Sequence, residues 1–166
     1  MSMKPEPQQP SSPLKISTGS VFVYQFSFSQ KDVNDFVALS GDTNNIHLDR
    51  EAALKSPIGE MTVHGMLTAT IFSRVLGTMF PGNGTVYRSQ SLEFLHPVIV
   101  GKKYEARFEV LKIEVPSSDH THSATVRPRD PRATIKTTVV DAETGAHCVE
   151  GKAVVLNKER LSTDQL

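Results

Sequence analysis

The stretch "GMLTATIFSRVLGTMF", Gly65 to Phe80, decides the fold. Apolar residues recur through it at helical spacing, and Arg74 is the only charged residue it contains. A helix with so few polar positions should be buried on most of its faces, so the rest of the chain has to wrap around it. "PGNG" follows directly and ends the helix with breakers.

The segments before this helix combine a strand with two shorter helices. "SVFVYQFSFSQ", from Ser20, places aromatic residues at every second position, which predicts a strand with one aromatic face. Ser29 and Asp32 have the spacing of a capping box, so a helix should start there and end at Gly41. A short helix is predicted from about Asp49 to Lys55.

The segments after the long helix alternate apolar and polar residues, which predicts about four antiparallel strands. A turn at Asp141 to Gly145 should join the last two strands as a hairpin. Residues 116–131 are polar and rich in Pro, His and Asp, and we expect a long, mobile connection there.

The predicted fold class is therefore α+β, with a curved antiparallel sheet around one long apolar helix. One sheet face lacks cover in this arrangement unless another subunit supplies it, so we expect a homodimer. A single domain should cover residues 20–157, with a flexible leader over residues 1–19 and a polar tail over residues 158–166.

The composition excludes several classes of function. The 166 residues carry 18 basic and 18 acidic side chains, and this balance argues against a nucleic-acid partner. No apolar run approaches the roughly 18 residues of a membrane span. A single cysteine, Cys148, fits a reducing compartment, so the cytoplasm is the expected location and a mitochondrial one stays open. Its strand-like surroundings predict an ordinary strand residue, not a nucleophile.

The polar stretch "SGDTNNIHLDREAA", Ser40 to Ala53, contains the first candidate for chemistry. A carboxylate at Asp42 and an imidazole at His47 could hold and polarise one water from two sides. Each residue alone has an ordinary explanation, because Asp after Gly is a common turn residue and a single His is usually a satisfied polar group.

The second candidate is "VHGM", which opens the apolar helix. Gly65 has no side chain, and its N–H lies at a helix start, where unpaired donors and the macrodipole favour negative charge. A developing enolate needs such a site. Gly65 could equally do no more than permit tight helix entry. Ser73, eight residues on, could line a pocket or bond its own preceding turn.

Taken together, "SGDTNNIHLDREAA", "VHGM" and the segment through "EFLHPVIVGKKYEARFEV" resemble the hydratase-2 signature of the MaoC-like (R)-specific enoyl-CoA hydratases. The resemblance covers roughly Phe22 to Ile113. It implies the hotdog fold, which agrees with the architecture predicted above. It also implies hydration of a trans-2-enoyl thioester, or the reverse dehydration of a (3R)-3-hydroxyacyl thioester.

The resemblance assigns roles to particular residues. Asp42 and His47 match the catalytic pair, and Gly65 matches the glycine whose amide binds the thioester carbonyl. Four more residues form the expected substrate-binding set: Asn44, His64, Met66 and Ser73. One position departs from the family pattern, because Asn45 stands where the family usually has proline. Compared with proline, asparagine adds a backbone N–H and leaves φ free to vary.

The resemblance leaves several points open. No metal or redox cofactor is expected, and a metal site at "DHTH", Asp119 to His122, lacks a second ligand pair. The acyl chain could lie along Met66, Leu67 and Phe72, although core packing explains these residues equally well. The carrier could be coenzyme A or acyl carrier protein, depending on basic residues at the tunnel mouth: Arg74, Arg88, Lys102 and Lys103. A hotdog acyl-thioesterase and a non-catalytic acyl-binding subunit are the alternatives.

Overall fold

The computed structural model describes residues 15–115 and 130–161. Their elements, in chain order, are β1 (Val21–Phe26), α1 (Gln30–Ser40), α2 (Asn45–Leu48), α3 (Arg50–Lys55), α4 (Gly65–Thr78), β2 (Val86–Phe94), β3 (Tyr104–Glu114), β4 (Arg132–Asp141) and β5 (His147–Leu156). The strands form one antiparallel sheet in the order β1-β3-β4-β5-β2, with α4 against it. The α+β prediction is therefore confirmed. Most of the expected mobile connection, and all of "DHTH", lie outside the described residues.

Local capping fixes where the first helix begins and ends. The Ser29 backbone N–H donates to Asp32 Oδ2 at 2.8 Å, while the Ser29 side chain accepts from the Asp32 N–H, so the predicted capping box is present. Gly41 ends α1 with φ 75°, a left-handed conformation that favours glycine. The chain therefore turns sharply just before Asp42.

The core lies between α4 and the inner face of the sheet. The helix buries one face there, formed by Leu67, Thr68, Ile71, Phe72, Val75 and Leu76. Phe72 meets Phe108 of β3 edge to face, with ring centroids 5.8 Å apart. Each such side chain contributes about 1.5–3 kcal/mol when fully buried, so this face anchors the helix to the sheet.

The opposite face of α4 is open, contrary to the prediction of burial on most faces. Met66 is 60% exposed, and Thr70, Ser73, Arg74 and Thr78 are exposed along the same stripe. The sheet reaches the helix from one side only, and the stripe tolerates water because much of it is polar. The Thr70 hydroxyl donates to the Leu67 carbonyl at 2.6 Å.

The two ends of the described chain are joined. Ile16 and Leu161 form a parallel bridge, the Ile16 N–H donates to the Arg160 carbonyl at 2.7 Å, and both apolar side chains are buried in the core cluster. The packed unit therefore extends beyond the predicted boundaries at residues 19/20 and 157/158. The sequence did not predict this contact, because Ile16 and Leu161 are isolated apolar residues in polar segments and show no periodic pattern.

The outer face of the sheet is mixed: charged side chains lie beside two exposed valines of β1, Val21 and Val23. Arg107, Glu109 and Lys136 lie there. Apolar side chains are also exposed along the other edge strand, β2, where Val86 is 46% and Phe94 49% exposed. Within residues 15–115 and 130–161, no helix combines the length and the apolar character required to cross a bilayer.

Candidate active site

The local fold brings Asp42 and His47 to the start of α4. Asp42 follows the Gly41 turn, and His47 lies on α2, the short helix that the sequence patterns did not predict. The His47 Nδ1 atom is 2.7 Å from the Thr62 carbonyl oxygen and 3.0 Å from Thr62 Oγ1. A carbonyl can only accept, so Nδ1 carries the proton and Nε2 of the neutral ring has a free lone pair.

Burial keeps the His47 ring uncharged. Its side chain is only 7% exposed, and this burial lowers the pKa of His47 below its ordinary value of 6.5. The bond to Thr62 and the nearby Asp42 act in the opposite direction, and His64 adds to the lowering. A neutral imidazole with an unpaired Nε2 at pH 7 is suited to accept a proton.

Asp42 faces solvent beside this ring. Its side chain is 52% exposed, and Oδ1 accepts from the Asn44 N–H at 3.2 Å, which fixes the turn. The Asp42 carboxylate and a ring nitrogen of His47 lie within 4.8 Å of each other. One water with two hydrogen bonds of about 2.8 Å spans up to about 5.6 Å, so a single water can join the two groups.

Asn44 and Asn45 shape the loop that carries the pair. The Asn44 side chain caps α2, accepting from the Ile46 N–H at 3.4 Å. Asn45 is the first residue of α2. Proline is favoured at that position because its missing N–H would be unpaired there anyway. Replacing it by Asn therefore leaves the helix start intact.

His64 completes the cluster in a way that the sequence did not suggest. It is 2% exposed, its Nε2 is 3.0 Å from the Asp42 carbonyl oxygen, and its ring lies against the His47 ring with centroids 3.8 Å apart and planes tilted by 31°. Each of the two rings uses one nitrogen to donate to a main-chain carbonyl, Nδ1 of His47 to Thr62 and Nε2 of His64 to Asp42. The side chains of Asp42, His47 and His64 nevertheless lie close enough together to hold a metal ion, since each offers one ligand atom within 4.8 Å of the others.

Gly65 starts α4 with an unsatisfied backbone. His64 makes no side-chain capping bond, and the Gly65 N–H has no hydrogen-bond acceptor among the described residues. A Cβ at position 65 would lie 3.0 Å from Phe94 Cε1. The missing side chain therefore also makes room for the Phe94 ring, a packing role that was not expected.

A cleft of about 430 Å³ opens beside Gly65. Its lining comprises Ile58, Thr62, Val63, Gly65, Thr68, Phe94, Leu95, His96, Pro97, Val98 and Val149. Asp42 and His47 are not part of it, but Thr62 and Gly65 connect the cleft to the acid–base pair. The sequence did not predict the lining residues from β2 onward. A signal was present, because "EFLHPV" interrupts strand alternation with two neighbouring apolar residues, Phe94 and Leu95, and both are exposed.

The other expected pocket residues lie elsewhere in the single chain. Leu67 and Phe72 belong to the core, and Met66 is exposed, so none of the three lines the cleft. Ser73 lies on the exposed face of α4, about 12 Å along the helix axis from Gly65 at 1.5 Å per residue. Its role in binding stays a prediction.

Cys148 is not part of this site. It lies on β5, is 2% exposed, and burial raises the pKa of its thiol. A buried thiol with a raised pKa is a poor nucleophile, in agreement with the expected role as a strand residue.

Comparison with known proteins identifies the family. Residues 5–129 match the family model described as a MaoC like domain. The chain belongs to the MaoC-like domain family. This MaoC-like chain is 39% identical over 128 residues to an (R)-specific enoyl-CoA hydratase of Aeromonas caviae, an alignment that covers 77% of the chain and 85% of that protein.

Two further comparisons place this MaoC-like chain among known enzymes and folds. It is 39% identical over 98 residues to a 3-hydroxybutyryl-CoA dehydratase of Methylorubrum extorquens; the alignment covers 59% of the chain and 62% of that protein. The solved (R)-hydratase from A. caviae involved in PHA biosynthesis superposes with a TM-score of 0.71 at 35% identity, covering 84% of the chain and 96% of that structure. The hotdog fold is thereby confirmed.

Proposed function

We propose that this protein is an (R)-specific enoyl-thioester hydratase. It adds water reversibly across a trans-2-enoyl thioester to give a (3R)-3-hydroxyacyl thioester. The observation that carries the proposal is the state of His47: its Nδ1–H is committed to the Thr62 carbonyl, which leaves a lone pair on Nε2, and a ring nitrogen of His47 lies within one water's reach of the Asp42 carboxylate. Hydratase and dehydratase relatives support the same reaction class.

The reaction requires only proton transfer and stabilisation of an enolate. Asp42 and His47 hold the water over C3 of the acyl group, and its oxygen bonds to C3 as its proton passes to the pair and then to C2. Negative charge develops on the thioester oxygen, which accepts from the Gly65 N–H. Losing one such donor typically costs about 10²–10³ in rate. This chemistry needs no metal or redox cofactor.

Substitution of the acid–base pair tests the proposal. We expect Asp42→Asn and His47→Ala each to abolish hydration of crotonyl-CoA, followed as loss of enoyl absorbance, because each removes one of the two groups that hold the water. Circular dichroism should show an unchanged fold. His147→Ala is the matched control, since His147 is exposed at the start of β5 and contacts Glu150, away from the pair.

Three results would contradict the hydratase assignment. A folded Asp42→Asn or His47→Ala variant with near-wild-type turnover would remove the proposed mechanism. Release of free CoA from acyl-CoA, detected with a thiol reagent, would favour an acyl-thioesterase. Tight acyl-CoA binding by the wild type without loss of enoyl absorbance would favour a non-catalytic acyl-binding subunit.

The acyl carrier is coenzyme A or acyl carrier protein, and the same site serves both. Two of the basic residues considered for carrier binding are already engaged. The Arg74 guanidinium lies 5.3 Å from the centre of the Tyr24 ring, and Lys102 Nζ is 3.1 Å from Glu60 Oε1. Kinetics on enoyl-CoA and enoyl-carrier-protein at several chain lengths separate the two carriers.

The proposal includes a homodimer. The exposed apolar residues of edge strand β2 and the open face of α4 support it, because both would be covered by a second copy. A cytoplasmic location completes the proposal and rests on the single, buried cysteine.

A further inference from the structure

His64 differs from every other described side chain in one respect. Its Nδ1 is the one buried side-chain nitrogen or oxygen, among the residues that the structure describes, with no hydrogen-bond partner. An unpaired buried acceptor is unfavourable, and a phenyl ring could fill much of the same space without it. Packing alone therefore does not explain a histidine at this position, and the reason has to lie in its other nitrogen.

The other nitrogen, Nε2, is bonded to the main chain of Asp42. It lies 3.0 Å from the Asp42 carbonyl oxygen and 4.0 Å from Asp42 Oδ2. A carbonyl accepts only, so Nε2 carries the proton and the ring is in its Nε2–H form with Nδ1 bare. The bond ties the turn that carries the carboxylate to the start of α4.

The ring of His64 also fixes the plane of His47. The two imidazoles contact each other with centroids 3.8 Å apart and planes tilted by 31°, and Phe36 packs on His64 with ring centroids 5.0 Å apart. His47 is thus held by Thr62 through Nδ1 and by His64 through its face. One buried residue contacts both members of the acid–base pair.

We infer that His64 is a positioning residue for the Asp42–His47 pair, and not the substrate contact that the family motif suggested. Its Nε2–H holds the Asp42 backbone and its face holds the His47 ring, which together set the separation that one water bridges. This inference rests on the proposed hydratase function. It explains why a histidine directly precedes the helix that Gly65 starts: the same residue aligns the acid–base pair and is followed at once by the Gly65 amide.

Two variants separate the two contacts. His64→Phe keeps a ring against His47 and loses the donor to Asp42. His64→Gln loses the ring and keeps an amide N–H that can reach the position of Nε2. A misplacement of about 1 Å can cost about 10²-fold in rate, and we expect His64→Phe to lower kcat by about that factor. His64→Gln should recover about tenfold of this loss, because the donor restores the position of Asp42.

The split between kcat and KM distinguishes positioning from binding. KM for crotonyl-CoA should stay within about twofold of wild type in both variants, since the lost interaction is with the enzyme's own groups. His147→Gln, an exposed histidine outside the site, is the matched control and should leave kcat and KM unchanged. A raised KM with an unchanged kcat would overturn the inference and restore a substrate contact, and so would near-wild-type kcat in His64→Phe.

Nuclear magnetic resonance tests the geometry without relying on activity. In the wild-type protein at neutral pH, side-chain ¹⁵N spectra should show His64 protonated at Nε2 and bare at Nδ1. Backbone amide signals of residues 41–43 should move in His64→Phe and move less in His64→Gln. Protonation at Nδ1, or unmoved signals in His64→Phe, would overturn the inference. If the wild type hydrates no enoyl thioester, the proposed function fails, but these spectra still test the contacts of His64. If His64→Phe does not fold, the protonation of His64 in the wild type and the amide signals of His64→Gln remain as the test.

Discussion

At the scale of single residues, the site depends on which nitrogen of each histidine carries the proton. His47 gives its Nδ1–H to the Thr62 carbonyl, and His64 gives its Nε2–H to the Asp42 carbonyl. Both acceptors belong to the main chain. Each ring thus keeps one nitrogen without a proton; that of His64 is buried, whereas a ring nitrogen of His47 lies within one water's reach of the Asp42 carboxylate.

The buried state of His47 predicts how the protein responds to pH. Burial lowers the pKa of folded His47 below its ordinary value of 6.5, so the unfolded chain takes up this proton at a higher pH than the folded chain. The stability gained from a neutral His47 is fully present above pH 6.5 and is lost as the pH falls through the lowered pKa. The free energy of unfolding should fall in this window by at most about 1.4 kcal/mol per pH unit from this group.

His47→Asn is the matched variant for this measurement, because its amide N–H can replace Nδ1–H as the donor to Thr62. Urea unfolding of both proteins between pH 8 and pH 5 gives the contribution of His47 as the difference in free energy of unfolding. We expect that difference to decline below pH 6.5. A constant difference across the range would show that the pKa of His47 is the same in the folded and unfolded chains.

At the scale of elements, the pairing of β2 with β5 leaves no room for a side chain at Gly151. A Cβ at Gly151 would lie 1.9 Å from the Ser91 carbonyl oxygen and 2.8 Å from Gln90 Nε2. The missing side chain lets Gln90 Nε2 reach over β5 and donate to the Thr137 hydroxyl of β4 at 2.9 Å. Three strands are thereby joined at one point by a side chain as well as by their ladders.

Gly151→Ala should therefore destabilise the fold severely. The added methyl group meets backbone, which no rotamer change can relieve, and we expect a loss of at least about 3 kcal/mol in the free energy of unfolding. Gly77→Ala in α4 is the control, because nothing lies within 4 Å of its added Cβ, and a helical Gly-to-Ala change should stabilise by about 0.5–1 kcal/mol. Thermal melts followed by circular dichroism compare the two. Equal melting temperatures for Gly151→Ala and wild type would show that β2 moves freely relative to β5.

Much of this level of structure could be predicted from sequence, because periodicity and capping are local. The aromatic alternation around Phe22, the Ser29 cap and the glycine at position 41 each determined an element or its end. The Gly151 crossing, the Ile16–Leu161 bridge and the His64–Asp42 bond join segments distant in sequence, so no local pattern reports them. His64 could be identified as a candidate, but its partner could not.

At the scale of the whole molecule, the position of exposed apolar residues suggests which edge a second copy would cover in the proposed homodimer. Both edge strands expose apolar side chains, Val21 and Val23 on β1 and Val86 and Phe94 on β2, but only β2 adjoins the cleft, since Phe94 is part of its lining. Edge strands with exposed apolar residues pair readily with another chain. The open face of α4 contains Ser73, so the same association would explain why that expected pocket residue lies outside the cleft of a single chain.

Val86→Lys should weaken this association, because it places two like charges at the joined edges. We expect the wild type to sediment as a dimer in analytical ultracentrifugation and the variant to dissociate at protein concentrations at which the wild type does not. Val21→Lys is the matched control: Val21 is 62% exposed on β1, at the opposite end of the strand order. A monomeric wild type would show that the proposed association through β2 does not form. Dissociation of Val21→Lys instead of Val86→Lys would place the association at β1.

The bond between His47 and the Thr62 carbonyl has a consequence for how such a site can evolve. Every amino acid supplies a main-chain carbonyl, so substitutions at position 62 can change the hydroxyl without removing the acceptor that orients the imidazole. Related sequences can therefore vary there to reshape the adjoining cleft while the base keeps its proton on the same nitrogen. At position 62 the side chain can therefore change the acyl preference, while the main-chain carbonyl keeps the proton on the same nitrogen of His47.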